Sequence, residues 1–488
     1  ARSTAFIRLA ATAVGNLSLV GAHLRGATVQ FADCRVADSD GGIGIDEGGS
    51  LDAVNLTVEV RGRALVLGAG TVAGVRASRF SGSQAATDFL VVVDRGTLYA
   101  SNSTFENAST LVMLLSATGE LTNATLTKAG QTAVLLVGSD LTVAGALIAP
   151  RSEGALGVEA YGSTLRATAT FQNYSLGIAA LGSTVGVSNS SFSSSNATPK
   201  GGFAGIYGFD SDIAVENTTF SGTYLLTTVP GPGGPTDVFS CSNSALWVVR
   251  SRVSLRLLDS KCYSDHYHAE QSTSRIDGFS MENGSLGGTF LQGAVEARDL
   301  KGSFFTNSLA SAVYLTFSGT TGNVSNVTTL SNDAAVEVRD ASPIVIDGLV
   351  TASPGLGVRV VTRGAPTIRN STFRVHNATG VHILDGTPTI ENSTFWLTAN
   401  LRETEGVNVS GGSPRISGSA FHGGGLLTYG IIGWAGSPTV VGNRFEDLHR
   451  GAVFYSARFL LEGNTFERCS NGAEARENAT GTMRGNTF

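Results

Sequence analysis

The chain contains 488 residues, of which 15% are charged, and its formal net charge is −6. Gly is abundant, with 62 residues, whereas Met occurs only 3 times; this composition argues against long α-helices, which need Ala, Leu, Glu, Lys and Arg in quantity. The net negative charge argues against a nucleic-acid partner. No apolar run approaches the length of about 18 residues that a membrane-spanning helix requires.

Short alternating strands recur along the whole chain, and most of them begin with Gly or Ala. The intervals are mostly 20–26 residues, a period typical of repeat architectures. We call these segments the third strands and place them at residues 42–45, 64–67, 90–93, 111–114, 133–136, 157–160, 177–180, 205–207, 245–248, 294–297, 312–315, 335–338, 357–360, 380–384, 406–409, 430–432 and 452–454, with a weaker one near 268. They predict about twenty coils.

A second column of residues lies about eight positions before each third strand. Its members are Phe80, Phe105, Phe192, Phe220, Phe305, Phe373, Phe395, Phe421, Phe445, Phe466 and Phe488, and the equivalent positions are occupied by Cys34, Leu126 and Cys262. Residues that recur once per coil stack on one another, so we expect an internal ladder of aromatic rings.

The spacing of the repeats becomes irregular over residues 221–293, which we call the irregular, loop-bearing part. The run from Pro230 to Pro235 reads Pro-Gly-Pro-Gly-Gly-Pro, which we predict to be an excursion near residues 229–236 rather than a strand. Because loops carry specific function on repeat scaffolds, this is the most distinctive part of the chain. We expect residues 1–488 to form one continuous solenoid nevertheless.

The clearest repeat lies at residues 364–395. Gly-Ala-Pro-Thr-Ile-Arg-Asn-Ser-Thr-Phe, ending at Phe373, returns as Gly-Thr-Pro-Thr-Ile-Glu-Asn-Ser-Thr-Phe, ending at Phe395. The unit reads as three short strands with corners at Asn370 and Asn392, and it is shorter than the roughly 30 residues of a βαβ unit. The sequence therefore predicts an all-β fold, a right-handed parallel β-helix.

These units, together with Gly-Asn-x-Phe at residues 442–445 and 463–466, resemble the right-handed parallel β-helix repeat superfamily of pectate-lyase-like proteins, and within it the surface-protein branch. The resemblance covers nearly the whole chain and implies the fold more than the function. Enzymes of this superfamily place acidic clusters, a Gly-His-Gly or an essential Arg or Lys on one sheet. This sequence has no Asp-Asp pair, and Phe421 precedes His422 where the motif would need Gly.

Two acidic pairs are the weak catalytic candidates. Glu296 and Asp299 flank Arg298, and Glu337 and Asp340 flank Arg339, two coils later. They could form a sugar-binding strip or the carboxylate pair of a glycosidase. We favour the alternative, a solvated outer face, because charges on a strand normally point to water.

A metal site is the functional interpretation of Asp265, His266 and His268, because two imidazoles lie on one side of a strand there. No third ligand lies nearby in the sequence, so we favour an exposed polar loop and expect no metal and no cofactor.

The four cysteines give two alternatives. Cys34 and Cys262 are small buried residues at the aromatic position, or Cys262 pairs with Cys241 of the preceding coil in a disulfide. We favour the first; Cys469 has no partner in reach.

Asparagine followed by x-Ser/Thr is unusually frequent. One explanation is a corner ladder of amides from coil to coil, which fits Asn102, Asn189, Asn217, Asn370, Asn392, Asn443, Asn464 and Asn486. The other is N-glycosylation, which we predict at Asn107, Asn123, Asn196, Asn377 and Asn478. Both place the chain outside the cytoplasm, at the cell surface.

The two ends of the chain are complementary. Residues 5–9 resemble a third strand, and the last coil stops at residues 485–488, before its third strand. Either the sequence is a fragment, or the first strand of one subunit completes the last coil of the next, as in a head-to-tail homopolymer.

Two classes of function remain. We favour a non-enzymatic extracellular protein, structural or adhesive, that assembles into a filament, sheath or surface layer or binds cell-surface polysaccharide. The alternative is a polysaccharide-active lyase or glycosidase. The evenness of the coils and the lack of a dense acidic cluster favour the first class.

Overall fold

The computed structural model describes residues 22–39, 41–83, 88–150, 155–193, 205–222, 225–231, 234–240, 242–283, 286–303, 313–330, 334–352, 355–400 and 402–488. The chain forms two compact units: unit 1 contains Ala1–Thr223 and Ser242–Arg252, and unit 2 contains Tyr224–Cys241 and Val253–Phe488. Residues 5–9, proposed above for self-association, lie outside the described residues, as do Phe305 and Asn196.

The strands up to residue 249 belong to unit 1 except for β23 and β24. They are β1 (Ala22–Arg25), β2 (Thr28–Ala32), β3 (Arg35–Ser39), β4 (Ile43–Asp46), β5 (Ser50–Val54), β6 (Thr57–Val60), β7 (Leu65–Leu67), β8 (Val72–Arg76), β9 (Arg79–Gly82), β10 (Phe89–Asp94), β11 (Thr97–Ser101), β12 (Thr104–Leu115), β13 (Thr118–Thr122), β14 (Thr125–Val137), β15 (Asp140–Ala149), β16 (Leu156–Tyr161), β17 (Thr164–Gln172), β18 (Leu176–Leu181), β19 (Thr184–Ser188), β20 (Ser191–Ser193), β21 (Ile206–Phe209), β22 (Asp212–Ser221), β23 (Leu225–Gly231), β24 (Gly234–Ser240) and β25 (Ser242–Val249).

The remaining strands belong to unit 2. They are β26 (Arg252–Lys261), β27 (Tyr263–Glu270), β28 (Thr273–Glu282), β29 (Leu286–Leu291), β30 (Ala294–Ser303), β31 (Val313–Ser318), β32 (Thr321–Leu330), β33 (Ala334–Arg339), β34 (Ile344–Asp347), β35 (Val350–Thr351), β36 (Leu356–Val360), β37 (Thr367–Arg369), β38 (Thr372–His376), β39 (Thr379–Ile383), β40 (Thr389–Glu391), β41 (Thr394–Thr398), β42 (Thr404–Val409), β43 (Arg415–Ser417), β44 (Ala420–Gly424), β45 (Thr428–Gly433), β46 (Thr439–Val441), β47 (Arg444–Glu446), β48 (Arg450–Phe454), β49 (Arg458–Glu462), β50 (Thr465–Glu467), β51 (Asn471–Ala475) and β52 (Thr480–Arg484).

Each unit is a parallel β-solenoid in which a strand pairs with the equivalent strand one turn later. In unit 2 the third sheet runs β27-β29-β31-β33-β36-β39-β42-β45-β48-β51. The first sheet includes β34-β37-β40-β43-β46-β49-β52, and the second includes β35-β38-β41-β44-β47-β50. Unit 1 repeats this order. The predicted right-handed parallel β-helix is confirmed, and the described residues contain no helix, hence none that could cross a membrane.

The aromatic ladder predicted on the second sheet is confirmed. Phe373 and Phe395 have ring centroids 4.6 Å apart and nearly parallel planes, as do Phe395 and Phe421. The stack continues through Phe445, Phe466 and Phe488, and shorter stacks fill unit 1. The rings are buried up to Phe466.

Cys34 is buried, as predicted, but its predicted place at the aromatic position is wrong. The register pairs Val36 with Val58 and Val58 with Phe80, so Val36 holds the aromatic position. Cys34 directly follows the corner residue Asp33, whose φ is 54°. The corner shifts the inward and outward alternation of side chains by one residue. Cys34 therefore lies two residues before Val36, the position that joins the aromatic ladder.

In unit 2 the corner between the first and second strands of a coil holds one residue with positive φ, a conformation favoured by Asn and Gly. Asn370 and Asn392 occupy it, with φ of 51° and 50°, and Gly442 and Gly463 replace them in later coils. Asn443, Asn464 and Asn486 are therefore one residue past the corner, contrary to the prediction. Asn443 and Asn464 are buried.

The residues just past the corner form a buried ladder of their own. Backbone N–H groups donate to the side chain one coil later, from Ser371 to Ser393 at 3.3 Å, from Ser393 to Ser419 at 3.2 Å and from Ser419 to Asn443 at 2.9 Å. The ladder continues through Asn464 and Asn486. In Asn-Ser-Thr-Phe, both Asn and Ser thus have structural roles, which accounts for part of the sequon excess.

Two predictions about strands are corrected. Residues 294–297 belong to β30, which pairs with β28 and β32 in the first sheet, and the third strand of that region is β29. The Pro-Gly excursion is a hairpin in which β23 and β24 pair antiparallel, with Pro230 opposite Pro235. These prolines pair only with each other, at the end of a two-stranded ribbon. Their missing N–H groups therefore do not break the hydrogen-bond ladder of a larger sheet.

Candidate functional site

The outward side of the third sheet in unit 2, from β33 to β51, carries aligned polar and aromatic side chains; we call it the polar face. Along these strands Val and Ile at alternate positions point into the core, which leaves the residues between them outside. Three rows result. The central row is Glu337, Arg359, His382, Asn408, Ile432, Val453 and Glu474; the leading row is Thr379, Glu405, Tyr429, Arg450 and Asn471; the trailing row is Leu384, Ser410, Trp434, Tyr455 and Arg476.

At one end of the polar face, Glu337 is held between two arginines. Its side chain is only 2% exposed, and Arg359 Nη1 donates to its Oε2 at 3.1 Å, while Arg339 binds its Oε1. A buried carboxylate needs such partners because desolvation of an unpaired charge is costly. Arg339 and Arg359 thus hold the Glu337 carboxylate in place at this end of the face.

In the middle of the face, a hydrogen-bonded chain connects five side chains. Ser410 Oγ donates to Asn408 Oδ1 at 3.1 Å, and Asn408 Nδ2 donates to Glu405 Oε2 at 2.7 Å. Thr379 Oγ1 donates to the same Oε2 at 2.9 Å. His382 Nε2 lies 3.1 Å from Ser410 Oγ; because the Ser410 hydroxyl proton is already given to Asn408, the network assigns the proton of that contact to Nε2.

The protonation state of His382 follows from its surroundings. Burial lowers the pKa of His382 below its ordinary value, and the charge of Arg359 lowers it further. The imidazole is therefore neutral at neutral pH, with Nε2 protonated by the argument above and Nδ1 a hydrogen-bond acceptor.

Aromatic rings border this network in the trailing row. Trp434 and Tyr455 stack with centroids 4.2 Å apart, and Arg476 lies 5.7 Å from the Tyr455 ring centre. Trp434 is 45% exposed. On its other side the row continues with Ser410, whose side chain is far smaller than an indole, so the Trp434 ring adjoins the polar network.

Tyr429 and its neighbours close the other side of the network. Its hydroxyl donates to Glu403 Oε1 at 3.3 Å, and Arg450 lies 5.5 Å from the ring centre. Burial first, and the charge of Glu403 second, raise the pKa of Tyr429. The ring packs on Ile432 and Val453, which anchors this part of the face.

The predicted acidic pairs do not come together. Glu296 lies on the first sheet, where it is exposed and 4.0 Å from Arg275, whereas Glu337 lies on the third sheet. Asp299 and Asp340 sit at corners with φ of 56° and 52°. Glu337 is nevertheless buried, so the expectation of a solvated outer face is wrong for this residue: its two arginines replace water.

The predicted imidazole pair lies in strand β27 and not in an exposed polar loop, so that expectation is wrong. The two imidazoles have different contacts. His266 is fully buried with Nδ1 2.8 Å from Ser260 Oγ, and His268 Nδ1 lies 3.1 Å from Asp265 Oδ2. Burial raises the pKa of Asp265, although His268 opposes this. Across the described ranges, no group of three or more His, Cys, Asp or Glu side chains is arranged to hold a metal ion.

Cys262 is disulfide-bonded, so the alternative favoured from the sequence, a small buried residue at the aromatic position, is wrong for Cys262. Cys34 Sγ donates to Ala32 O at 3.1 Å. Cys241, the partner considered above, lies outside the described residues. Cys262 has a φ of 56° and its N–H donates to Glu282 O, so it occupies a corner in unit 2.

The predicted glycosylation sites differ in exposure. Asn123 and Asn478 are exposed, and Asn107 and Asn377 are partly buried. Asn107 donates to Ser81 Oγ at 3.2 Å, and Asn377 Oδ1 accepts from the Asn400 N–H at 3.0 Å. In the corner ladder, Asn217 donates to Asn189 at 2.7 Å.

His382, Glu405, Asn408 and Trp434 were not predicted as site residues from the sequence. A signal was present: each third strand has the form Gly-Val-x-Val or a close variant, and x is the outward position. Reading x from coil to coil gives Glu337, Arg359, His382 and Asn408 in register.

A family model described as a right-handed β-helix region matches residues 356–488. No curated protein sequence matches the chain. Similar solved structures include the tailspike protein of E. coli bacteriophage HK620 in complex with a pentasaccharide, with 10% identity, a TM-score of 0.31 and coverage of 88% of this chain and 72% of that chain. A second is the catalytic domain of a GH87 α-1,3-glucanase in complex with nigerose, with 10% identity, a TM-score of 0.24 and coverage of 76% of this chain and 64% of that chain. A third is the PL6 family alginate lyase AlyGC, with 9% identity, a TM-score of 0.21 and coverage of 94% of this chain and 97% of that chain.

Proposed function

We propose that this chain is an extracellular protein that binds a polysaccharide along the polar face of unit 2. The observation that carries the proposal is the exposed Trp434 ring beside the fixed donors and acceptors of His382, Asn408 and Glu405. Aromatic rings bind the apolar C–H faces of flat saturated rings, and directional polar groups then select hydroxyls.

The trailing row provides space for a sugar ring. Neighbouring coils are about 4.8 Å apart, so Leu384 and Trp434, which are two coils apart, are separated by about 9.6 Å at the backbone. Only Ser410 stands between them, and both flanking side chains are 45% exposed. One ring stacked on Trp434 above Ser410 would reach the hydrogen-bonded chain.

The polar face has the length for an extended ligand. Six steps from β33 to β51 span about 29 Å, which accommodates several sugar units. The ligand would extend from the hydrogen-bonded chain at the centre, where its hydroxyls bind, towards Arg359 at one end.

Cleavage of the polysaccharide is the second candidate function. The nearly buried Glu405 carboxylate, close to a neutral imidazole, is the observation that favours it. However, Glu405 Oε2 already accepts hydrogen bonds from Thr379 and Asn408, so this oxygen is engaged within the protein rather than directed at a glycosidic bond. Binding without cleavage therefore agrees better with the geometry.

Titration calorimetry with neutral and acidic hexasaccharides tests the proposal. Trp434→Ala and Asn408→Ala are each expected to weaken the tightest hexasaccharide about tenfold or more. Trp396→Ala removes an equally exposed indole from the second sheet and should leave the affinity unchanged. Equal affinities for Trp434→Ala and wild type would contradict the proposal, and new reducing ends that vanish in Glu405→Gln would establish the enzyme instead.

The extracellular setting is part of the proposal. Disulfides persist in oxidising compartments, and Cys262 is disulfide-bonded; the exposed Asn123 and Asn478 would carry N-glycans. An adhesive role at the cell surface follows if the bound polysaccharide is a surface glycan. Secreted protein with an unmodified Asn123 and Asn478 and a free Cys262 thiol would count against this setting.

A further inference from the structure

We infer that unit 1 contains a separate saccharide-binding site, a slot at Gly74 on the outward side of the first sheet that takes one uncharged pyranose ring. This site is independent of the polar face, because its residues belong to unit 1 and none of the residues proposed above contributes to it.

The slot arises from a missing side chain in a row of outward residues. The register aligns Asp52, Gly74, Tyr99 and Glu120 on β5, β8, β11 and β13. A Cβ placed at Gly74 would meet nothing closer than Asp52 Oδ1 at 3.8 Å. Asp52 and Tyr99 are two coils apart, about 9.6 Å at the backbone, and a cavity of about 360 Å³ lies between and beside them.

The backbone does not require glycine at this position. Gly74 is absent from the positive-φ positions, and it lies inside β8, where glycine weakens a strand through its greater backbone entropy. A side chain would fit and would fill the slot. Gly74 thus makes this strand less stable than a residue with a side chain would, and in return it leaves the slot open.

The walls of the slot have the chemistry of a site for an uncharged sugar. Tyr99 is 50% exposed and adjoins the empty position, where it can stack against the C–H face of a ring. Asp52 and Glu120 accept hydrogen bonds from hydroxyls. Asp52 is paired with Arg76 at 2.9 Å, so Glu120 leaves the lining with a net negative charge that disfavours anionic sugars.

Gly186 provides a matched control in the same row. It pairs with Arg166 and Ala214, and a Cβ there would meet only Leu165 O at 3.9 Å. It has the same freedom to accept a side chain but no aromatic wall in the adjacent coils. Tyr161, 37% exposed on the third sheet of unit 1, is the corresponding control for Tyr99.

The test uses the full chain carrying both Trp434→Ala and Asn408→Ala, each expected to weaken binding on the polar face, so that the affinity that remains reports on the slot. Cellohexaose, laminarihexaose, mannohexaose and hexagalacturonate are titrated by calorimetry. We expect at least one neutral hexaose to bind, more tightly than hexagalacturonate, and Gly74→Val and Tyr99→Ala each to weaken it about tenfold or more. Gly186→Val and Tyr161→Ala should bind as the parent does.

Three results would overturn the inference: no neutral hexaose binds the parent, Gly74→Val weakens hexagalacturonate more than it weakens the neutral hexaose, or Gly74→Val retains the parent affinity for the neutral hexaose. The Gly74→Val result stands even if Tyr99→Ala fails to fold, because valine suits a strand and its Cβ meets no clash. A polar face that does not bind sugar would be detected separately, by wild type and Trp434→Ala having the same affinities.

Discussion

Replacement of Phe395 by Ala is expected to lower the free energy of unfolding by about 3–5 kcal/mol. The ring is fully buried and stacks at 4.6 Å on both Phe373 and Phe421. Gly380 has no room for a side chain because its Cβ would lie 2.9 Å from the Phe395 ring. Such close packing leaves little scope for collapse into the void, so most of the cavity cost remains.

Urea denaturation of Phe395→Ala beside Trp396→Ala measures this effect. Trp396 is the next residue, is 50% exposed and points to the other side of the strand, where it stacks on His422 at 4.3 Å. Its removal should cost about 1 kcal/mol or less. Equal losses in the two variants would show that the Phe column is not the internal ladder.

Acidification is expected to destabilise the protein through His266. The imidazole is fully buried, and burial lowers the pKa of His266 to about 3, against about 6.5 in the unfolded chain. As the pH falls below 6.5 the unfolded chain takes up a proton that the folded chain does not, so stability decreases by up to about 1.4 kcal/mol per pH unit. At pH 4.5 the loss attributable to this group is about 3 kcal/mol.

The measurement is the free energy of unfolding at pH 7 and pH 4.5 for wild type, His266→Gln and His376→Gln. Glutamine cannot titrate, so His266→Gln should lose less stability than wild type between the two pH values, whatever its stability at pH 7. His376 is exposed, and its variant should retain the wild-type difference. An unchanged difference in His266→Gln would mean that His266 is protonated in the folded protein.

Much of the fold could be predicted because each coil restates the same physical constraints. Phe373 and Phe395 recur at one interval with matching neighbours, so their stacking follows from register alone. Predictions failed where different residue types meet the same requirement. The corner needs a left-handed residue, which is Asn392 in one coil and Gly442 in a later one. Asn443 was therefore predicted at the corner although it lies one residue past it. The hairpin escaped prediction because Pro230 and Pro235 pair across a ribbon rather than within a sheet.

The candidate site was less predictable, because its residues are far apart in sequence and unlike each other. His382 and Asn408 become neighbours only through the register of β39 and β42. Gly406 has no side chain, which makes room for the Phe421 ring. Glu405, the residue before it, points outward on the same side as Asn408. Local sequence does not reveal that these two side chains share a hydrogen bond.

A crystal structure of the chain with its tightest-binding hexasaccharide would show directly whether the polar face binds sugar. We expect a sugar ring stacked on Trp434 above Ser410, with hydroxyls bonded to His382 and Asn408 and the saccharide chain continuing towards Arg359. A sugar bound to unit 2 away from the third sheet, with Trp434 uncovered, would contradict this expectation.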